Sequence, residues 1–105
     1  MREQRLEKLL EMLTQNEGDT FVNYALAMEY LGLNQKEKAE DYFRKCIDLD
    51  EKYTSAYYQL ALLASEKGED TLAISYLEKG LLFLNGPSNQ KTKNEFQALL
   101  DELSY

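Results

Sequence analysis

Along almost the whole chain the apolar residues recur at intervals of three and four, and no run alternates apolar with polar for the length of a strand. That spacing belongs to helices that bury one side and solvate the other. Near the carboxyl end, Phe96, Leu99, Leu100 and Leu103 fall at i, i+3, i+4 and i+7, which predicts an amphipathic helix over 89–103. The segment Asn85-Gly86-Pro87-Ser88 ahead of it interrupts the pattern, because glycine and proline end and redirect helices. A charged amphipathic helix is predicted over 2–15. The expected fold is all-α, with about six helices in one domain of 105 residues.

Between those two ends the chain reads itself twice. Residues 20–50 recur 34 positions later as residues 54–84, and seven of the 31 aligned pairs are identical: Thr20/Thr54, Tyr24/Tyr58, Leu26/Leu60, Ala27/Ala61, Ala39/Ala73, Tyr42/Tyr76 and Lys45/Lys79. Ordinary residue frequencies would give roughly two. The identities fall where paired helices have steric demands. Ala27 and Ala61 lie in the middle of a first helix, and Ala39 and Ala73 one turn into a second, where small side chains allow two backbones to approach. Asn34 and Gly68 lie between the two helices of each copy and are residue types that tolerate the left-handed conformation ending a helix. A period of this length without strands predicts stacked helical hairpins, an architecture that commonly presents a surface to another protein.

At this point the chain resembles the tetratricopeptide repeat, whose pattern runs W-x2-L-G-x2-Y, then A-x3-F, then a proline. The first copy is Asn23-x2-Leu26-Ala27-x2-Tyr30 followed by Ala39-x3-Phe43, and the second is Tyr57-x2-Leu60-Ala61-x2-Ala64 followed by Ala73-x3-Leu77. It departs from the pattern at Asn23, at Ala64, and at Glu51 and Asn85 where the closing proline would stand. The resemblance implies antiparallel hairpins stacked as a short right-handed superhelix, with repeats at 20–50 and 54–84. Shifted back by 34, the first copy places Leu9, Met12 and Leu13 on Phe43, Cys46 and Ile47, so 2–15 is expected to be an amino-terminal capping helix. The helix at 89–103 is the matching carboxyl-terminal cap; its stripe fits an offset longer than 34, which leaves its register open.

Charge narrows the partners. Twelve basic residues stand against nineteen acidic ones, a net charge of −7, and such a surface repels phosphate backbones and anionic lipid heads. Neither nucleic acid nor a membrane is an expected partner. No apolar run reaches 18 residues and no signal-peptide core is present, so a cytoplasmic location is expected. The lone Cys46 fits a reducing compartment and aligns with Gly80 at a position that the family fills with a small residue.

Catalytic chemistry has little to work with. The chain lacks histidine, phosphate-binding glycine loops and calcium-loop patterns. Adjacent carboxylates such as Glu40 and Asp41, or Asp101 and Glu102, point to different parts of a helix surface and read as solvated faces. No catalytic residue, metal or cofactor is expected, and the chain is read as a non-enzyme.

A partner segment from another protein is the expected ligand. By the resemblance it would lie in the concave groove lined by the first helix of each repeat, against Phe21, Tyr24 and Met28 in the first copy and Tyr58, Gln59 and Leu62 in the second. Phenolic rings and methionines recur at binding surfaces, the first as rigid amphipathic anchors and the second because they repack. The lysine–asparagine clamp with which some members hold acidic chaperone tails is missing, since Tyr24, Met28 and Gln59 occupy its places. The alternative is a homodimer formed through the second helix of the second repeat, where Leu72 and Leu82 replace Lys38 and Asp48 of the first.

Overall fold

The computed structural model describes residues 2–104. They fold into two compact units, the first ending at Glu51 and the second starting at Lys52. Among the described residues there are six α-helices and no strands.

The first unit holds α1 (Arg2–Gln15), α2 (Thr20–Gly32) and α3 (Lys36–Leu49). Leu6, Leu9, Leu10 and Leu13 form a half-buried stripe on α1, and α1 packs on α2. The start of α2 is fixed by Asp19, whose Oδ1 accepts from the Val22 N–H at 3.1 Å, a cap worth about 1 kcal/mol. Asn23, the residue that departs from the aromatic of the repeat pattern, is fully buried. Its Nδ2 donates to the carbonyls of Glu17 at 3.2 Å and Asp19 at 2.9 Å, so it ties down the turn between α1 and α2. The Oδ1 of the same amide is buried without a hydrogen-bond partner among the described residues.

The second unit holds α4 (Thr54–Glu66), α5 (Asp70–Leu81), a short 3-10 turn (Pro87–Asn89) and α6 (Gln90–Leu103). Each unit contains one hairpin, α2–α3 or α4–α5, and the two hairpins close by the same chemistry. Asn34 takes φ +61° and Gly68 takes φ +78°, the left-handed conformation expected of them. The Gln35 N–H then reaches back five residues to the Tyr30 carbonyl at 2.9 Å, and the Glu69 N–H to the Ala64 carbonyl at 2.9 Å. These bonds satisfy carbonyls that the end of a helix would otherwise leave unpaired.

Small residues stand at the helix crossings. Ala27 and Ala39 are wholly buried in the first unit, beside Leu26, Phe43 and Cys46. Ala61 and Ala73 repeat that arrangement in the second, beside Leu60 and Leu77. Tyr30 and Tyr42 stack with ring centroids 5.5 Å apart, and the Lys38 and Lys45 ammonium groups lie 5.4 and 5.9 Å from the two rings. Burial, then the neighbouring Tyr30 and Asp41, raise the pKa of the Tyr42 hydroxyl, so that ring is neutral packing material.

Two details differ from the periodic reading. Leu82–Leu84 lie beyond the last α-helical residue of α5, because the Leu82, Phe83 and Leu84 N–H groups bond three residues back instead of four and tighten the chain out of the helix. Met12, aligned with the wholly buried Cys46, is 49% exposed.

The closing helix is held by a notch. A Cβ at Gly80 would lie 2.5 Å from Phe96 Cε2 and 3.2 Å from Tyr57 Cβ, so the bare backbone of α5 admits the Phe96 ring of α6. Gly80→Ala gains about 1 kcal/mol of helix propensity but forces a buried ring out of place, at about 1–3 kcal/mol. A net fall in the thermal midpoint is expected for Gly80→Ala. Gly18→Ala, whose Cβ would meet only Asn16 Oδ1 at 3.8 Å, should leave the midpoint within about 2 °C. Equal midpoints for the two variants would contradict the notch. Cys46 is wholly buried and donates to the Thr20 carbonyl at 3.6 Å; burial pushes its thiol up from 9.0 to about 12. The thiol therefore stays protonated at pH 8, and a thiol-labelling reagent should modify it only in denaturant; rapid modification of the native chain would refute its burial.

Candidate functional site

With no three Asp, Glu or Cys side chains converging among the described residues, attention passes to the surface. No described helix is long and apolar enough to cross a membrane. What stands out is apolar side chain left in solvent.

In the first unit that surface lies on α2, with Met12 of α1 and Leu49 of α3 exposed as well. Phe21 is 68% exposed, and Met28, seven residues and two turns later, is 36% exposed. Tyr24, between them, behaves differently. It is half-buried, and its ring meets Phe43 edge-on, with centroids 5.4 Å apart and planes at 61°. The ring is thus partly engaged by the core.

In the second unit the aligned positions on α4 are more covered. Tyr58 is half-buried and tilted against Phe96 of α6, with centroids 5.3 Å apart. Gln59 and Leu62 are half-buried as well. The exposed apolar side chains of this unit are on α5 and its end, Leu72 at 40% and Leu82 at 72%. The sequence-predicted groove residues therefore divide into an exposed pair, Phe21 and Met28, and a half-buried set led by two tyrosines with intramolecular ring partners. The identity of Tyr24 with Tyr58 gave no sign of this, since Phe43 lies within the repeat and Phe96 outside it.

The residues that periodicity did not single out belong to α1. An open hollow of about 280 Å³ lies between α1 and α2, lined by Arg5, Lys8, Leu9, Met12, Ala25 and Glu29. Two of these lining residues pair, Arg5 Nε donating to Glu29 Oε1 at 3.0 Å.

Comparison with known proteins gives the surface a context. A family model described as tetratricopeptide repeat matches residues 22–53 and 54–82, overlapping the periods 20–50 and 54–84 read from the sequence. No curated protein matches the chain. Among solved structures, the translocator chaperone SycD of the Yersinia enterocolitica type III secretion system superposes with a TM-score of 0.90 at 16% identity, over 97% of this chain and 71% of its own. Two structures of MamA superpose with a TM-score of 0.74 at 24% identity; one match covers 98% of this chain and 58% of MamA, the other 97% and 62%. At such identities these likenesses concern the fold. With more than half of its residues matched in two successive repeats, the chain belongs to the tetratricopeptide repeat family.

Proposed function

We propose that the protein is a non-enzymatic protein-interaction module that holds a segment of a partner protein against the first helices of its repeats. The single observation that carries this is Phe21, a large aromatic left 68% exposed on a helix whose opposite side is closely packed. Burying such a side chain against a partner is worth about 1.5–3 kcal/mol, which is the scale of a binding hot spot. Met28 extends the same face and can repack around differing shapes. On α4, Tyr58, Gln59 and Leu62 supply the corresponding surface of the second unit. Membership of a repeat family built for protein contacts supports the class of function, as does the likeness to a secretion chaperone.

Phe21 and Met28 are the better probes of this reading, because Tyr24→Ala and Tyr58→Ala would each remove a ring contact from the interior. In affinity capture from native extract, Phe21→Ser with Met28→Ser should lose the partner, with binding at least tenfold weaker, while circular dichroism and the thermal midpoint stay near those of the unaltered chain. Capture undiminished in the folded double variant removes α2 from the binding surface.

A second reading rests on Leu82, 72% exposed, together with Leu72. It makes the outer side of α5 a homodimer contact between copies of the second unit. It predicts a concentration-dependent dimer in sedimentation equilibrium that Leu72→Glu with Leu82→Glu converts to monomer. A monomer at every concentration of the unaltered chain eliminates it.

A further inference from the structure

We infer that α6 is an autoinhibitory latch: its Phe96 ring fills an aromatic-walled site on the α4–α5 hairpin that, once α6 undocks, accepts an aromatic-bearing amphipathic helix of a partner protein. This rests on the protein-binding reading above and adds to it a site in the second unit, the chemistry of what enters that site and the element that closes it.

The hairpin α4–α5 builds the site. Its floor is the bare backbone of Gly80, where a Cβ would lie 2.5 Å from Phe96 Cε2. Two tyrosines of α4 supply the walls. The Tyr57 Cβ is 3.2 Å from that same Cβ position, and the Tyr58 ring is tilted against Phe96 with centroids 5.3 Å apart. Tyr57 is backed in turn by Phe83, with centroids 6.4 Å apart and planes at 27°. A glycine floor between phenolic walls admits a flat ring and offers it aromatic contacts on entry. Phe96 takes that place and is 1% exposed.

The ring that fills the site does not belong to the hairpin. In the first unit Tyr24 meets Phe43, which its own hairpin carries on α3. The position 34 residues after Phe43 is Leu77, so α5 brings no ring to Tyr58 there, and α6 supplies one instead. Apolar side chains alone dock α6: Phe96 and Leu99 are buried, and Leu100 and Leu103 half-buried. Among the described residues, the side-chain hydrogen bonds of α6, Gln90 to Asn94 and Gln97 to Asp101, stay within the helix, and it makes no ion pair with another element. Undocking therefore breaks no polar tie and strands no polar side chain of α6. Opening of this kind, one helix at a time, is how sites closed by their own chain become available below the cost of global unfolding.

The latch specifies its competitor. A helix that replaces it presents an aromatic followed by apolar residues three, four and seven positions on, the spacing of Phe96, Leu99, Leu100 and Leu103. Such a segment meets a site already occupied, and its apparent affinity falls in proportion to the fraction of molecules in which α6 is undocked.

Fluorescence polarisation with a labelled synthetic peptide of residues 89–104 as the probe tests this on the full chain. The unaltered protein should bind the peptide weakly. Inserting about fifteen Gly and Ser residues between Asn85 and Gly86 leaves the docked contacts of α6 in place but lowers its effective concentration roughly as the −3/2 power of linker length, so the peptide should bind about eightfold more tightly. Phe96→Ala, which empties the site, should strengthen binding at least as much, and a peptide carrying the same Phe96→Ala change should bind none of the three proteins. Equal binding to all three, binding that survives loss of the peptide's phenylalanine, or no binding to any of them would overturn the latch. If Phe96→Ala lost its helical circular dichroism, the lengthened linker would still decide. The surface on α2 is judged separately by capture with the Phe21 and Met28 variants, so the two readings can fail independently.

Discussion

Close approach of paired helices is the constraint on which the rest of the structure depends. Ala27 and Ala39 in one unit, and Ala61 and Ala73 in the other, have no accessible surface. At such crossings any larger side chain would hold the backbones apart, and interaxial distances near the lower end of the usual 8–10 Å need small residues. Once the backbones are close, the turn joining them has little room. Asn34 and Gly68 then adopt positive φ, and the N–H of the residue after each returns a hydrogen bond to the carbonyl five residues before it. Sequence period, small residues and left-handed turns are thus three expressions of one packing solution.

From that solution follows an uneven surface. Leu26, Phe43, Leu60 and Leu77 are wholly buried, so the hydrophobic drive to fold is met inside each unit. Phe21 and Leu82 are left outside, at 68% and 72% exposure. Single exposed apolar residues are ordinary, but an aromatic followed by methionines on adjoining helices is a surface with a composition of its own. The Arg5–Glu29 pair beside it contributes little to stability, since exposed ion pairs are worth about 0–1 kcal/mol.

Much of the fold was legible because the backbone geometry repeats and the sequence repeats with it. The alanines, the two turn residues and the stripe from Phe96 to Leu103 each carry a steric or periodic requirement that only certain residue types meet. The candidate site was less legible, since exposure at its positions depends on parts of the chain that do not repeat. Tyr24 and Tyr58 are identical in register, yet one ring leans on Phe43 of its own hairpin and the other on Phe96 of the closing helix. Met12 aligns with buried Cys46 and is nevertheless half in solvent. Asn23 reads as a defect in the repeat pattern until its amide is seen holding the carbonyls of Glu17 and Asp19. None of these outcomes is encoded by a period of 34.

The notch at Gly80 explains why the last helix could not be phased from the repeat. First helices begin at Thr20 and Thr54, and the period would start the next at 88, but α6 begins at Gln90 after the turn Pro87–Asn89. Its axial position is indexed by one ring entering one gap in α5, as a pawl engages a tooth. The connection from Asn85 to Asn89, mostly solvent-exposed, has only to span the distance. Its length is accordingly free to drift: doubling such a loop costs only about 0.6 kcal/mol in closure entropy, so related chains can gain or lose residues there and still seat their final helix in the same place.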